Sequence, residues 1–163
     1  MTVPSRAQTP ALLQVEAILS RISGRQALQE VCRFLRQSFS QYPWVGVYRL
    51  EGEALVLDAW DGAQPTEHTR IPISRGICGQ AAREDRTVIV DDVRADPNYL
   101  ACFLETRAEI VVPIRHEGRV VGEIDIDGNA VRAFDASDRR FLEAVAARLG
   151  PSVELSGAAL PSA

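Results

Sequence analysis

The sequence predicts an α+β domain, a central antiparallel sheet with helices packed against it. Three observations carry this. Apolar residues follow a helical period up to about residue 40 and an alternating period from Trp44 to Asp127. The extended runs are short and joined by glycine-containing turns, the mark of antiparallel hairpins. A last helical stretch follows Asp135.

Each element has its own local signal. Residues 9–22 and 25–40 read as two helices separated near Gly24. In the second, Leu28, Val31, Cys32, Leu35 and Phe39 form one apolar stripe. The runs 44–50 and 54–60 flank Glu51-Gly52-Glu53 and read as a hairpin. A short extended piece follows at 70–73. GICGQAARED (76–85) reads as a glycine turn entering a short helix, and TVIVDDV (87–93) as another strand. The runs 109–115 and 120–127 form a second hairpin. Asp135 is placed to cap a helix over 136–149, and Gly150-Pro151 is the expected stop. The expected organisation is therefore one domain over residues 1–150, with helices at 9–40, a sheet core at 44–127 and a closing helix at 136–149. Residues 151–163 are expected to be a flexible tail.

Bulk properties narrow the function classes. The 163 residues are enough for one real core. Hydrophobic content of 46% and charged content of 25% are ordinary for a globular protein. A net charge of −4 without a basic block argues against nucleic acid or an anionic membrane as partner. No apolar run is long enough to span a bilayer, and MTVPSRAQTP lacks the apolar core of a signal peptide, so a cytoplasmic location is expected. Three scattered cysteines do not form a disulfide scaffold. With no CxxC and with His68 and His116 far apart, no metal site is expected.

The register of the second hairpin carries the chemistry. Ile110, Val112 and Ile114 share one face of the first strand, as do Ile124 and Ile126 on the second. A two-residue Glu117-Gly118 turn in an unbroken ladder would pair Ile110 with Asp125. A three-residue turn, 117–119, pairs Ile110 with Ile126 and Val112 with Ile124. Apolar matching selects the second arrangement, because a one-residue slip flips every side chain. Glu109 then lies opposite Asp127, with Asp125 two residues along on the same face. Acids this close repel. Such a face is either open to solvent, or it receives a cation or shares a proton.

Taken in order, RIPISRGICGQAA, DDVRADPNYLAC, AEIVVPI, VVGEIDID and FDASDRRFL resemble a GAF domain, and more narrowly the free methionine-(R)-sulfoxide reductases, which are stand-alone GAF enzymes. The resemblance runs from about Trp44 to Leu149. It implies a PAS-like fold with five or six antiparallel strands, helices on one face and a ligand pocket on the other. It also implies that Cys102 is the attacking thiol, that Cys78 is the glycine-flanked cysteine, and that Glu109, Asp125 and Asp127 are the acids of the site. Trp44 and Tyr48 match the aromatic positions of the first strand. His68 stands where the family often has a further cysteine, and Phe103 where it usually has aspartate.

The residue chemistry fits that assignment. A thiolate attacking a sulfoxide forms a sulfenic acid, which a second thiol closes to a disulfide. Cys102 lies in a loop and is the candidate nucleophile. Cys78 is expected at a helix N-terminus, where the dipole lowers a thiol pKa, and is either a resolving thiol or a packing residue. Cys32 belongs to the apolar stripe and reads as structural. Glu109 is the candidate proton donor. Asp125 and Asp127 are candidate anchors for the ammonium of a free amino-acid-like substrate. Trp44 and Tyr48 share a face and are candidate pocket walls or core residues. The resemblance further implies no bound cofactor, recycling by an external thioredoxin-like thiol reductant, and a possible homodimer. The competing expectation is a non-catalytic GAF module that binds or senses a small molecule.

Overall fold

The computed structural model describes residues 8–158. Helices α1 (Gln8–Arg21) and α2 (Gly24–Ser38) lead into the hairpin β1 (Trp44–Glu51) and β2 (Ala54–Gly62). Strand β3 (Arg70–Pro72), helix α3 (Gly76–Glu84) and strand β4 (Val88–Val90) follow. After a 3-10 turn at Val93–Ala95 and a long loop come β5 (Ala108–His116), β6 (Arg119–Gly128) and α4 (Ala136–Ala158). The six strands form one antiparallel sheet in the order β3-β2-β1-β6-β5-β4.

The two faces of the sheet bury different things. On one, Val45, Val47, Ile110, Val112, Ile114, Ile124 and Ile126 pack against α1, α2 and α4 in the main core. The predicted stripe of α2 lies in this core, with Cys32 fully buried. On the other face a smaller cluster joins Tyr48, Leu55, Ile71, Ile77, Cys78, Ala81 and Val111. Helix α3 thus lies on the pocket side, where the sequence expectation had placed no helix.

The hairpin register is the predicted one, but its construction differs. Ile110 pairs with Ile126, Val112 with Ile124, and Glu109 with Asp127. The turn has two residues, Glu117 and Gly118, both with positive φ (52° and 78°). That conformation suits a two-residue hairpin turn. A bulge restores the register, since Ile114 pairs with Gly122 while Arg115 pairs with Val120, leaving Val121 as the extra residue.

Helix α4 begins as expected. The Asp135 carboxylate accepts from the backbone N–H groups of Ser137 (2.9 Å) and Asp138 (3.1 Å), and Asp138 accepts in return from the Asp135 N–H (3.0 Å). The Ser137 hydroxyl, which also donates to the Asp135 carboxylate (2.7 Å), and then the Asp138 N–H hold that carboxyl below the usual carboxylate range.

The end of α4 corrects the sequence reading, because the helix passes through Gly150-Pro151 and continues to Ala158. Three features explain it. Pro151 is exposed, and Ala147, whose carbonyl loses its partner, is exposed as well and can be solvated. Val153 is buried in the main core. The Ser156 hydroxyl bonds to the buried carboxylate of Asp58, which also meets Arg25 and Arg49. Gly150 is not a terminator either. A β-carbon there would collide with the carbonyl oxygen of Arg115 on β5. The expected tail at 151–158 is therefore helix, and the remainder of that expectation, 159–163, lies outside the described residues.

Adjacent substitutions should therefore have opposite signs. Gly150→Ala is expected to destabilise by about 1–3 kcal/mol through the backbone collision, despite the better helix propensity of alanine. Pro151→Ala is expected to stabilise by about 1–3 kcal/mol, since it restores a helical hydrogen bond. Urea denaturation of the two variants checks both signs.

Candidate active site

Adjacent strands supply a row of carboxylates. β1 and β5 flank β6, so that Trp44, Gly46 and Tyr48 stand opposite Asp127, Asp125 and Glu123, and Glu109 stands opposite Asp127 on the other side. The face is not open to solvent. Glu109 is 4% exposed, Glu123 0%, Asp125 1% and Asp127 2%. Both oxygens of Glu123, both of Asp127 and Oδ1 of Asp125 have no hydrogen-bond partner. None of the ion pairs among the described residues involves these four acids.

Cys78 is the third residue of α3, and its Sγ lies 4.0 Å from Glu109 Oε1. Cys102 is carried by the loop between the 3-10 turn and β5, where its Sγ approaches the Leu100 carbonyl at 3.6 Å. That loop is fixed from two sides. The Asn98 side chain bonds to the Gly76 carbonyl (3.0 Å) at the start of α3. His68 Nε2 lies 2.8 Å from the Ala101 carbonyl. Tyr48 supports His68 in turn, with its hydroxyl donating to the His68 carbonyl at 2.7 Å.

Two cavities meet this arrangement. A small one, about 10 Å³, is lined by Ile71, Gly76, Cys78, Cys102, Glu109 and Asp125 among others. A larger one, about 270 Å³, is bounded by Trp44, Gln64, Phe103, Thr106, Asp127 and Asn129. The Trp44 indole lies over Gly46 and Gly62, where any β-carbon would overlap the ring. Trp60 stacks with it at 6.2 Å, and Phe103 meets it at 5.7 Å, tilted by 50°.

Residues 23–154 match the GAF domain family. The chain is a GAF domain protein. It is 35% identical to GAF domain-containing protein A of Dictyostelium discoideum over 133 residues, 80% of this chain and 82% of that one. It is 30% identical to a free methionine-R-sulfoxide reductase of Escherichia coli (strain K12) over 122 residues, 75% of this chain and 73% of the relative. The X-ray structure of free methionine-R-sulfoxide reductase from Neisseria meningitidis in complex with its substrate is similar with a TM-score of 0.85 and 33% identity, covering 98% of this chain and 97% of that one. The sequence resemblance is thereby borne out, and these relatives support an oxidoreductase.

The GAF domain brings together Cys78, Cys102, Glu109 and Asp125 around one cavity and gives Asp127 and Trp44 to the other. Tyr48 shares their face, as its period-two spacing requires, but lines neither cavity. Its ring is buried and its hydroxyl is engaged by the His68 carbonyl. Glu123 was not among the candidates. The alternation of β6 places it on this face, but its neighbour on β5 is Pro113, so charge pairing gave no sign of it. His68, which stands where the family often has a further cysteine, holds the loop next to Cys102.

Electrostatics correct one expectation. Burial, and then Asp125, Glu123 and Glu109, push the Cys78 thiol well above its ordinary value, opposite to the lowering expected at a helix start. Burial, then Asp127, Asp125 and Glu109, raise the Cys102 thiol as well. Burial first and Asp125 second hold Glu109 well above the usual carboxylate range, which keeps it protonated. Burial likewise raises Asp125, Asp127 and Glu123.

The sign of the linkage follows. Carboxyls whose folded pKa is raised contribute stability that is full below the unfolded pKa and is lost as pH rises through the folded value. The protein should therefore lose stability as the pH rises above the ordinary carboxylate range. Asp127→Asn retains the shape and removes one ionisable group. It is expected to melt higher than the wild type at the alkaline end, by about 2–4 °C per kcal/mol relieved, with a flatter pH profile. Thermal melting as the pH is raised checks the prediction.

Proposed function

We propose that the chain reduces free methionine-(R)-sulfoxide to methionine with Cys102 as the attacking thiol. The observation that carries this is the small cavity, where two thiols and a buried acid meet. The likeness to reductases from two organisms supports it.

The chemistry balances as follows. The Cys102 sulfur attacks the sulfoxide sulfur, and Glu109 protonates the departing oxygen. The protonated oxygen then passes to the Cys102 sulfur as the newly formed S–S bond and the S–O bond to the methionine sulfur break, which releases methionine and leaves Cys102 as a sulfenic acid. The Cys78 thiol then displaces that oxygen as water and closes a disulfide. An external dithiol of the thioredoxin type returns both thiols, and no bound cofactor takes part.

Asp125 and Asp127 anchor the substrate ammonium, and Trp44 gives an aromatic wall for the methyl and sulfur. The ammonium does more than bind. Burial is the first cause that raises the Cys102 thiol, and the ammonium offsets the second, the carboxylates, which favours the thiolate when a free amino acid is present. A methionine sulfoxide within a polypeptide has no free ammonium, which accounts for a free amino acid as substrate. The resemblance extends the proposal to a cytoplasmic homodimer.

Reduced protein incubated with free methionine-R-sulfoxide is expected to release methionine and lose two thiols, while the S epimer leaves all thiols intact. Cys102→Ser should abolish the reaction. Glu109→Gln should lower kcat by about 10²–10⁴-fold, since an amide cannot supply the proton. Absence of methionine and an unchanged thiol count would instead favour a GAF module that binds a small molecule without turnover.

A further inference from the structure

We propose that Cys78, Glu109 and Asp125 form a binding site for one divalent cation of the zinc class. One ligating atom from each lies within 4.8 Å of the other two, and all three residues are buried. A tetrahedral zinc ion, with bonds of about 2.3 Å to sulfur and 2.0–2.2 Å to oxygen, separates such atoms by about 3.5 Å. Side-chain adjustments of about 1 Å would close the cluster around an ion. The cavity that these residues share, about 10 Å³, has the scale of a single small occupant.

A second observation points to a ligand independently of the clustering. Asp125 lines this cavity, is 1% exposed, and its Oδ1 has no hydrogen-bond partner. Glu123, two residues along on the same face, leaves both buried oxygens unpartnered. A buried carboxylate oxygen without a partner is costly, and a cation is one means of satisfying it.

The donor set selects the metal. Magnesium and calcium need six or more oxygen ligands and have no use for a thiol. One sulfur and two carboxylate oxygens suit zinc or cobalt. The fourth position faces Cys102, which lines the same cavity and offers its sulfur or leaves room for water. An ion here occupies Cys78 and Glu109, so it holds the protein inactive until removed. That consequence rests on the reductase reading; the metal site does not.

Reduced, metal-free protein is titrated with Co²⁺, whose thiolate complexes absorb in the near ultraviolet. The expected result is a charge-transfer band that saturates at one equivalent, disappears when Zn²⁺ is added and is unaffected by Mg²⁺. Cys78→Ser should remove about half of the band or more, any remainder coming from Cys102, and Asp125→Asn, a milder change, should weaken Co²⁺ binding by about tenfold or more. Circular dichroism establishes that both variants are folded. No band in the wild type, or an undiminished band in folded Cys78→Ser, overturns the proposal. The assay contains no substrate, and turnover measured with a chelator contains no metal, so the two readings fail separately.

Discussion

The pairing of β5 with β6 is the constraint on which the site depends. A tight turn alone would set these strands one residue out of step. The bulge at Val121 returns them to a register in which isoleucine faces isoleucine. The same correction delivers Glu109, Asp125 and Asp127 to the opposite face. Because side chains alternate strictly along a strand, the core and the acid row cannot be specified separately. The apolar energy that holds one face together also keeps the other face electrostatically unfavourable.

The sheet thus divides its work. The convergence of α1, α2 and α4 on one face buries most of the apolar side chains. The other face has a thinner cover, made of α3 and loops, and tolerates unpartnered carboxylates. Buried acids without cations weaken a fold and are kept where function requires them. The thiols follow the same logic. Burial first, and the neighbouring carboxylates second, disfavour the anion of both Cys78 and Cys102.

Much of this was legible in the sequence, for identifiable reasons. The pairing within the second hairpin follows from apolar residues that match in only one register. The loop position of Cys102 and the burial of Cys32 follow from local pattern. What escaped the sequence was tertiary. Gly150-Pro151 is a stop signal in isolation, and only the packing of Val153 and the Ser156–Asp58 contact carry α4 past it. The helix start beside Cys78 suggested an acidic thiol, but the carboxylates that reverse this come from strands more than thirty residues away in the chain. The approach of Cys78 to Glu109 and Asp125 is invisible to spacing, because only packing brings α3 against the face that β5 and β6 share.

The glycine bed under Trp44 has an optical consequence. The chain contains two tryptophans, and they stack on one another, 12° from parallel, with Trp44 at the wall of the larger cavity. Tryptophan emission from the whole protein therefore originates within a few residues of Asp127. Charge, water or an aromatic neighbour such as Phe103 moving there acts on both fluorophores together. The fold carries its own unlabelled reporter of what occupies the site.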